Sequence, residues 1–261
     1  MDPQQLFSIS GKTALVTGGT RGIGEMIVRA YVAAGATVYV SARKAEACEA
    51  IADELSSQGT CIGLPADLST PEGCAALIAD VQERVGSLDV LVNNAGATWG
   101  APLAEYPVEG FDKVMNLNVR APFLMTQGLA PQLAAAASSE DPARVINIGS
   151  IAGMRTPNND AYAYGASKAA VHHLTRHLAV GLAEQHINVN AIAPGLFPSS
   201  MTAHLMGDEE DRAELGATIL RGRVGEPEDV AAMAIHLASR AGAWITGAIM
   251  SVDGGGRAFQ R

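Results

Sequence analysis

Seven short runs rich in apolar and β-branched residues punctuate the chain, at 13–17, 37–41, 60–65, 90–93, 144–148, 188–192 and 248–251. Several are almost unbroken, as in Ala14-Leu15-Val16, Val90-Leu91-Val92 and Val145-Ile146-Asn147-Ile148. A strand with one wet face alternates apolar and polar residues, whereas a nearly continuous run belongs to a strand covered on both faces. Between the runs lie longer stretches with apolar residues at helical spacing, clearest over 23–34, 45–55, 71–85, 121–137 and 164–184. Strand and helix in regular alternation predict right-handed crossovers and a parallel sheet. The expectation is an α/β fold: a doubly wound, seven-stranded parallel sheet with helices on both faces. Such sheets bind ligands at the carboxyl ends of their strands.

Length leaves room for one or two domains, since the chain has 261 residues. No linker, charge block or internal repeat divides it, so one domain over 1–261 is expected. The chain is 48% hydrophobic and 17% charged, with 28 glycines, which excludes a disordered profile. Its net charge is −9 and no basic cluster offsets it. Nucleic acid is therefore not an expected partner, because that affinity rests on Lys and Arg contacts to phosphates. No run of about 18 apolar residues marks a membrane span. The first eleven residues lack the basic and apolar regions of a secretory signal, so a cytoplasmic location is expected. Cys48, Cys61 and Cys74 form no CxxC pair and read as ordinary thiols.

The first strand runs directly into Thr17-Gly18-Gly19-Thr20-Arg21-Gly22-Ile23-Gly24, a GxxxGxG variant of the dinucleotide fingerprint. Glycine permits the tight turn and lets backbone approach a pyrophosphate. The helix that follows offers free N–H groups and the positive end of its dipole to that anion. An NAD site carries an acid about 20 residues on to hold the ribose 2′-hydroxyl. Here the second strand ends in Val40-Ser41-Ala42-Arg43, with no acid at its tip. Arg43, helped by Arg21 in the loop, suits a 2′-phosphate, so NADP(H) is the expected cofactor.

With these motifs in place the chain resembles the short-chain dehydrogenase/reductase family, whose fold is Rossmann-like. The match runs from Lys12 to about Gly256. Thr17 to Gly24 resembles the family's cofactor loop, with Gly18, Thr20, Arg21, Gly22, Ile23 and Gly24 as cofactor contacts. Asp67 and Leu68 match the adenine-contacting segment. Asn94, Ala95 and Gly96 belong to the NNAG run at 93–96. Pro194 and Gly195 match the turn on the nicotinamide side. Ser199 stands where the family usually has a threonine that touches the cofactor. Asn118, Ser150, Tyr164 and Lys168 match the catalytic set, with Tyr164 and Lys168 also contacting cofactor.

Tyr164 and Lys168 are four residues apart, hence on one helix face. An ammonium beside a phenol favours the phenolate and lowers its pKa toward working pH. Tyr162 lacks a lysine at that spacing. By resemblance, Tyr164 protonates a carbonyl oxygen, Ser150 holds that oxygen, Lys168 holds the nicotinamide ribose and Asn118 anchors a water leading to Lys168. His172, His173 and His177 share a helix, but without HExxH or a nearby carboxylate they read as core or interface residues. No metal is expected.

The stretch 196–223 stands where the family places a substrate lid. It carries Leu196, Phe197, Met201, Leu205, Met206, Leu215, Ile219 and Leu220. With Trp99 and Met154 these could line an apolar pocket, or they could pack on the protein itself. The overall pattern is most similar to bacterial NADPH-dependent β-ketoacyl reductases. That resemblance implies reduction of a 3-oxoacyl thioester, with a small-molecule carbonyl or alcohol as partner. Another ketone/alcohol pair (a sugar acid, a steroid or a xenobiotic) is the alternative, followed by a non-catalytic NADPH-binding sensor. The family also implies a homo-oligomer, tetramer or dimer.

Overall fold

The computed structural model describes residues 2–156, 159–199, 201–203, 206–256 and 258. Its centre is a seven-stranded, fully parallel sheet in the order β3-β2-β1-β4-β5-β6-β7. The strands are β1 Thr13–Thr17, β2 Thr37–Ala42, β3 Cys61–Pro65, β4 Val90–Asn93, β5 Ala143–Ile148, β6 Ile187–Pro194 and β7 Ile249–Val252. The helices are α1 Pro3–Leu6, α2 Gly22–Ala33, α3 Ala45–Leu55, α4 Pro71–Arg84, α5 Val108–Met115, α6 Ala121–Ala136, α7 Tyr162–Leu182, α8 Glu209–Ala217 and α9 Pro227–Ala238. The expected architecture is the observed one. The largest displacement of a strand end is in β6, which runs two residues past the apolar stretch to Pro194. That proline sits at the last pair of the ladder, opposite Val252, where its missing N–H costs no central bond.

Side chains of a strand alternate between faces, so each run feeds two cores. Ala14 and Val16 of β1, with Val90 and Val92 of β4, pack under α2, α3 and α9 against Ile27, Val28, Leu55 and Val230. Leu15 and Leu91 point the other way, toward Leu77 and Val81 of α4 and Met125, Leu129 and Leu133 of α6. Burial on both faces explains why these strands read as nearly unbroken apolar runs.

The amino ends of the strands are tied by charge. Lys12 Nζ reaches Asp141 at 2.9 Å and Asp89 at 3.5 Å, and the Asp89 carboxylate accepts the Thr13 N–H at 2.8 Å. Arg144, 1% exposed, pairs with Asp141 and donates to the carbonyls of Pro142 and Ser239. Structural polar groups thus gather at one end of the sheet, while the residues with matched chemistry gather at the other.

Candidate active site

The turn after β1 is built by glycines that nothing else could replace. Gly18 has φ +64° and Gly22 φ +56°, in the left-handed region that a side chain disfavours. A Cβ on Gly24 would collide with the carbonyl of Gly18 and the amide of Asn94. Asn94 locks this turn, its Nδ2 donating to the carbonyls of Thr17 at 3.0 Å and Gly18 at 2.9 Å. Thr17 Oγ1 returns the tie by accepting the N–H groups of Asn94 and Ala95 at 3.0 and 3.1 Å. Thr17 was not singled out as a site residue from sequence, although it opens the motif.

The N-cap of α2 is Arg21, and no side chain caps the helix. The N–H groups of Gly22, Ile23 and Gly24 precede the first helical bond, from Glu25 N–H to Arg21. A glycine cradle opening onto uncapped N–H donors fits a dinucleotide pyrophosphate. At the neighbouring strand tips Arg43 is exposed after β2 and Asp67 is exposed after β3, while Leu68 is buried. The Ser69 N–H donates to Asp67 and holds its carboxyl below the usual carboxylate range, with Arg43 adding a smaller pull. Arg21 and Arg43 enter none of the salt bridges among the described residues, so both guanidiniums stay available to a 2′-phosphate.

Across the β1–β4 switch point lies a second group. Ser150 caps the short 3-10 turn Ile151–Gly153, its Oγ accepting the Ala152 N–H at 3.1 Å. The Ser150 hydroxyl stands beside the Tyr164 phenol. Lys168, one turn along α7, donates from Nζ to the Ile148 carbonyl at 2.7 Å and lies 5.6 Å from the centroid of the Tyr164 ring. Tyr162, by contrast, is exposed and donates to Asp160 at 3.3 Å.

The titration of Tyr164 departs from the expectation. Burial raises the phenol above its ordinary value, and the Ser150 hydrogen bond offsets only part of that. The ammonium of Lys168, directed to Ile148, does not pull the phenol down as its spacing implied. Burial lowers Lys168 itself to about 8.

Asn118 is held within the fold. Its side chain is 2% exposed and committed: Nδ2 donates to Ala97 and to Ser167 Oγ at 2.9 Å each, and Oδ1 accepts the Ala97 N–H at 2.8 Å. It fastens the loop after Gly96 to α7. It sits in a π-helical turn, Asn116–Arg120, between α5 and α6. Pro122, four residues on, has no N–H to close a helical bond on the Asn118 carbonyl. That backbone oxygen therefore lacks its regular α-helical donor.

A profile of the family described as enoyl-(acyl carrier protein) reductase matches residues 18–256. The chain is 53% identical to a rhamnolipids biosynthesis 3-oxoacyl-[acyl-carrier-protein] reductase of Pseudomonas aeruginosa, over 95% of this chain and 97% of that one. It belongs to the short-chain dehydrogenase/reductase family. The solved Pseudomonas aeruginosa RhlG/NADP active-site complex superposes with a TM-score of 0.93 at 52% identity, covering 98% of this chain and all of that one. A 2-dehydro-3-deoxy-D-gluconate 5-dehydrogenase of Dickeya dadantii is 36% identical over 95% of this chain and 96% of its own length.

In this short-chain dehydrogenase/reductase the turn after β6 completes the site. Gly195 donates its N–H to Val252 at 2.9 Å, and a Cβ there would strike Asp253. Ser199 comes back over the glycine loop, with its Cβ 3.1 Å from where a Cβ on Gly22 would stand. Its hydroxyl is 3.0 Å from that of Thr202.

Much of the stretch expected as a lid packs on the protein itself. Phe197, Met206 and Ile219 are buried, and Phe197 lies against Gly225. Leu196, Phe197, Ile219 and Leu220 border a cavity of about 740 Å³ shared with Val224 and Met233. The acids at 208–211 form the capped start of α8, and Leu205 lies outside the described residues. Trp99 does not join this cavity: it packs on Gly110, with Lys113 Nζ 5.2 Å above its ring. Met154 receives the Ser251 hydroxyl at 3.5 Å and links the Ser150 turn to β7. His173 and His177 are exposed, and no group of three or more metal-ligating side chains occurs among the described residues. No helix among them is long and apolar enough to cross a membrane.

Proposed function

We propose that this oxidoreductase uses NADPH to reduce a carbonyl to an alcohol, with a 3-oxoacyl thioester as substrate. The observation that carries the reading is the juxtaposition of the Ser150 and Tyr164 hydroxyls, beside Lys168 and across from the glycine cradle. Ser150 holds the carbonyl oxygen and Tyr164 delivers a proton to it. NADPH, when bound, supplies the hydride that the carbonyl carbon takes up. Because burial keeps the Tyr164 phenol protonated at neutral pH, the residue stands ready as an acid for reduction. Asn118 keeps α7 and the loop after Gly96 in register. Gly22, Ile23 and Gly24 hold the pyrophosphate, and Arg21 and Arg43 hold the 2′-phosphate.

The apolar stretch of the cavity border, Leu196, Phe197, Ile219 and Leu220, supports an acyl chain over a sugar, while Arg221, Arg223, Asp229 and Asp253 charge the rest of that border. The 53% identity to a reductase named for 3-oxoacyl-[acyl-carrier-protein] points the same way. Self-association fits the exposed Phe123 of α6 and Val180 of α7. The test is NADPH consumption with acetoacetyl-coenzyme A, set beside sugar-acid and steroid ketones and an NADH control. Fast NADPH-dependent turnover of the thioester is expected. Turnover of a sugar-acid or steroid ketone instead would overturn the substrate assignment, and silence on every ketone would overturn the reaction.

A further inference from the structure

His172 lies one helical turn beyond Lys168 on the same face of α7, 4% exposed. The two residues grip the end of β5 from one side. Lys168 donates to the carbonyl of Ile148 at 2.7 Å, and His172 Nε2 accepts the N–H of Ser150 at 3.4 Å. Between these contacts is Gly149, where any Cβ would collide with the imidazole. Gly149 is also anchored from behind, donating its N–H to Ile192 at 2.7 Å. The glycine is thus the residue that lets α7 come this close, and the imidazole fills the space it leaves.

The arrangement fixes a relationship, not only a position. Tyr164 rides on α7, whereas Ser150 rides on the turn after β5. Their hydroxyls meet only if helix and turn keep one spacing. We propose that His172 is a positioning residue, which sets the Ser150 hydroxyl against the Tyr164 phenol by holding the Ser150 backbone. This inference rests on the proposed function above.

The chemistry of the contact is consistent with that role. An imidazole can accept a hydrogen bond only when neutral. Burial, with Lys168 and Arg176 nearby, lowers His172 to about 4, so it accepts at any working pH. A phenylalanine there would fill the space and lose the acceptor. A glutamine would keep an acceptor at similar reach.

The test compares His172→Phe and His172→Gln in the native and Ser150→Ala backgrounds. We expect His172→Phe to lower kcat roughly tenfold, the scale of one hydrogen bond lost, with the KM for NADPH unchanged. His172→Gln should recover most of the rate. In the Ser150→Ala background His172→Phe should change kcat by less than about twofold, because the effect passes through Ser150. Equal losses in both backgrounds would overturn the proposal. A second readout does not need turnover. In protein labelled with 13C at tyrosine Cζ, with the Tyr164 signal assigned by its loss in Tyr164→Phe, His172→Phe should move the Tyr164 titration upward. An unmoved titration would also overturn the proposal. If no ketone is turned over, the proposed function falls while this titration still decides the role of His172. Should His172→Phe fail to fold, His172→Leu replaces it in both experiments.

Discussion

Lys168 Nζ stands 5.6 Å from the centroid of the Tyr164 ring, yet its hydrogen bond goes to the Ile148 carbonyl. The pair therefore shares a helix face without sharing a proton. Tyr164 is raised by burial, so reduction, which needs the phenol, should hold its rate through neutral pH and decline at alkaline pH. Alcohol oxidation, which needs the phenolate, should rise over the same range. Because the ammonium does not lower the phenol, Lys168→Met should leave the pH position of the oxidation limb near that of the native chain. Rate profiles in both directions check this. Tyr164→Phe should lose on the order of 10³-fold in kcat, while fluorescence titration still shows NADPH binding.

The choice of cofactor is carried at the β2 tip. Arg43 is exposed there and, among the described residues, enters no salt bridge. Arg43→Asp replaces an attraction for the 2′-phosphate with a repulsion. The ratio of kcat/KM for NADPH over NADH should fall about 10- to 100-fold, the scale of one charged hydrogen bond. An unchanged ratio in initial-rate measurements would move the assignment away from Arg43.

At the opposite end of the sheet Arg144 is buried against Asp141 and the carbonyl of Ser239. Arg144→Ala strands a carboxylate and two carbonyls and opens a cavity. Losing one partner of a buried pair costs about 3–5 kcal/mol. A clear drop in Tm is expected, with the KM for NADPH unaffected in the protein that remains folded.

His172 makes stability depend on acid. Its folded value is about 4, against an ordinary 6.5. Unfolded chains take up this proton as pH falls through 6.5, while the folded protein refuses it until about 4. The folded state thus loses about 3 kcal/mol across that window, following 1.36 kcal/mol per pH unit. Denaturant melts of His172→Gln should show a shallower decline there than the native chain.

The sheet was legible because strands buried on both faces leave unbroken apolar runs, and β1, β4 and β5 show this most plainly. Much of the candidate site could be read from sequence because several of its residues stand just after a strand: Gly18 after β1, Arg43 after β2, Asn94 after β4, Ser150 after β5 and Gly195 after β6. What spacing could not convey was direction. Four residues between Tyr164 and Lys168 give a common face, but the Ile148 carbonyl takes the ammonium's hydrogen bond. Nor does the NxN spacing around Asn118 show that its amide is spent on Ala97 and Ser167. The approach of His172 to Ser150 depends on Gly149, just past the end of β5 and 23 residues earlier. Only the crossing of helix over strand reveals it. The apolar lid residues divide between core and cavity because α8 and the turns around it set their facing, and composition carries no such sign.

The π-helical turn at Asn116–Arg120 also sets a rotational phase. One residue advances an α-helix by about 100°. The extra residue held in this turn therefore swings α6 relative to α5. Met125, Leu129 and Leu133 face the core only in that setting. Deleting one residue from the turn would restore a regular helix, yet it would roll these three side chains away from β4 and carry the Asn118 carbonyl off its line. The irregularity serves as a gear offset between α5, which packs against α7, and α6, which carries part of the core.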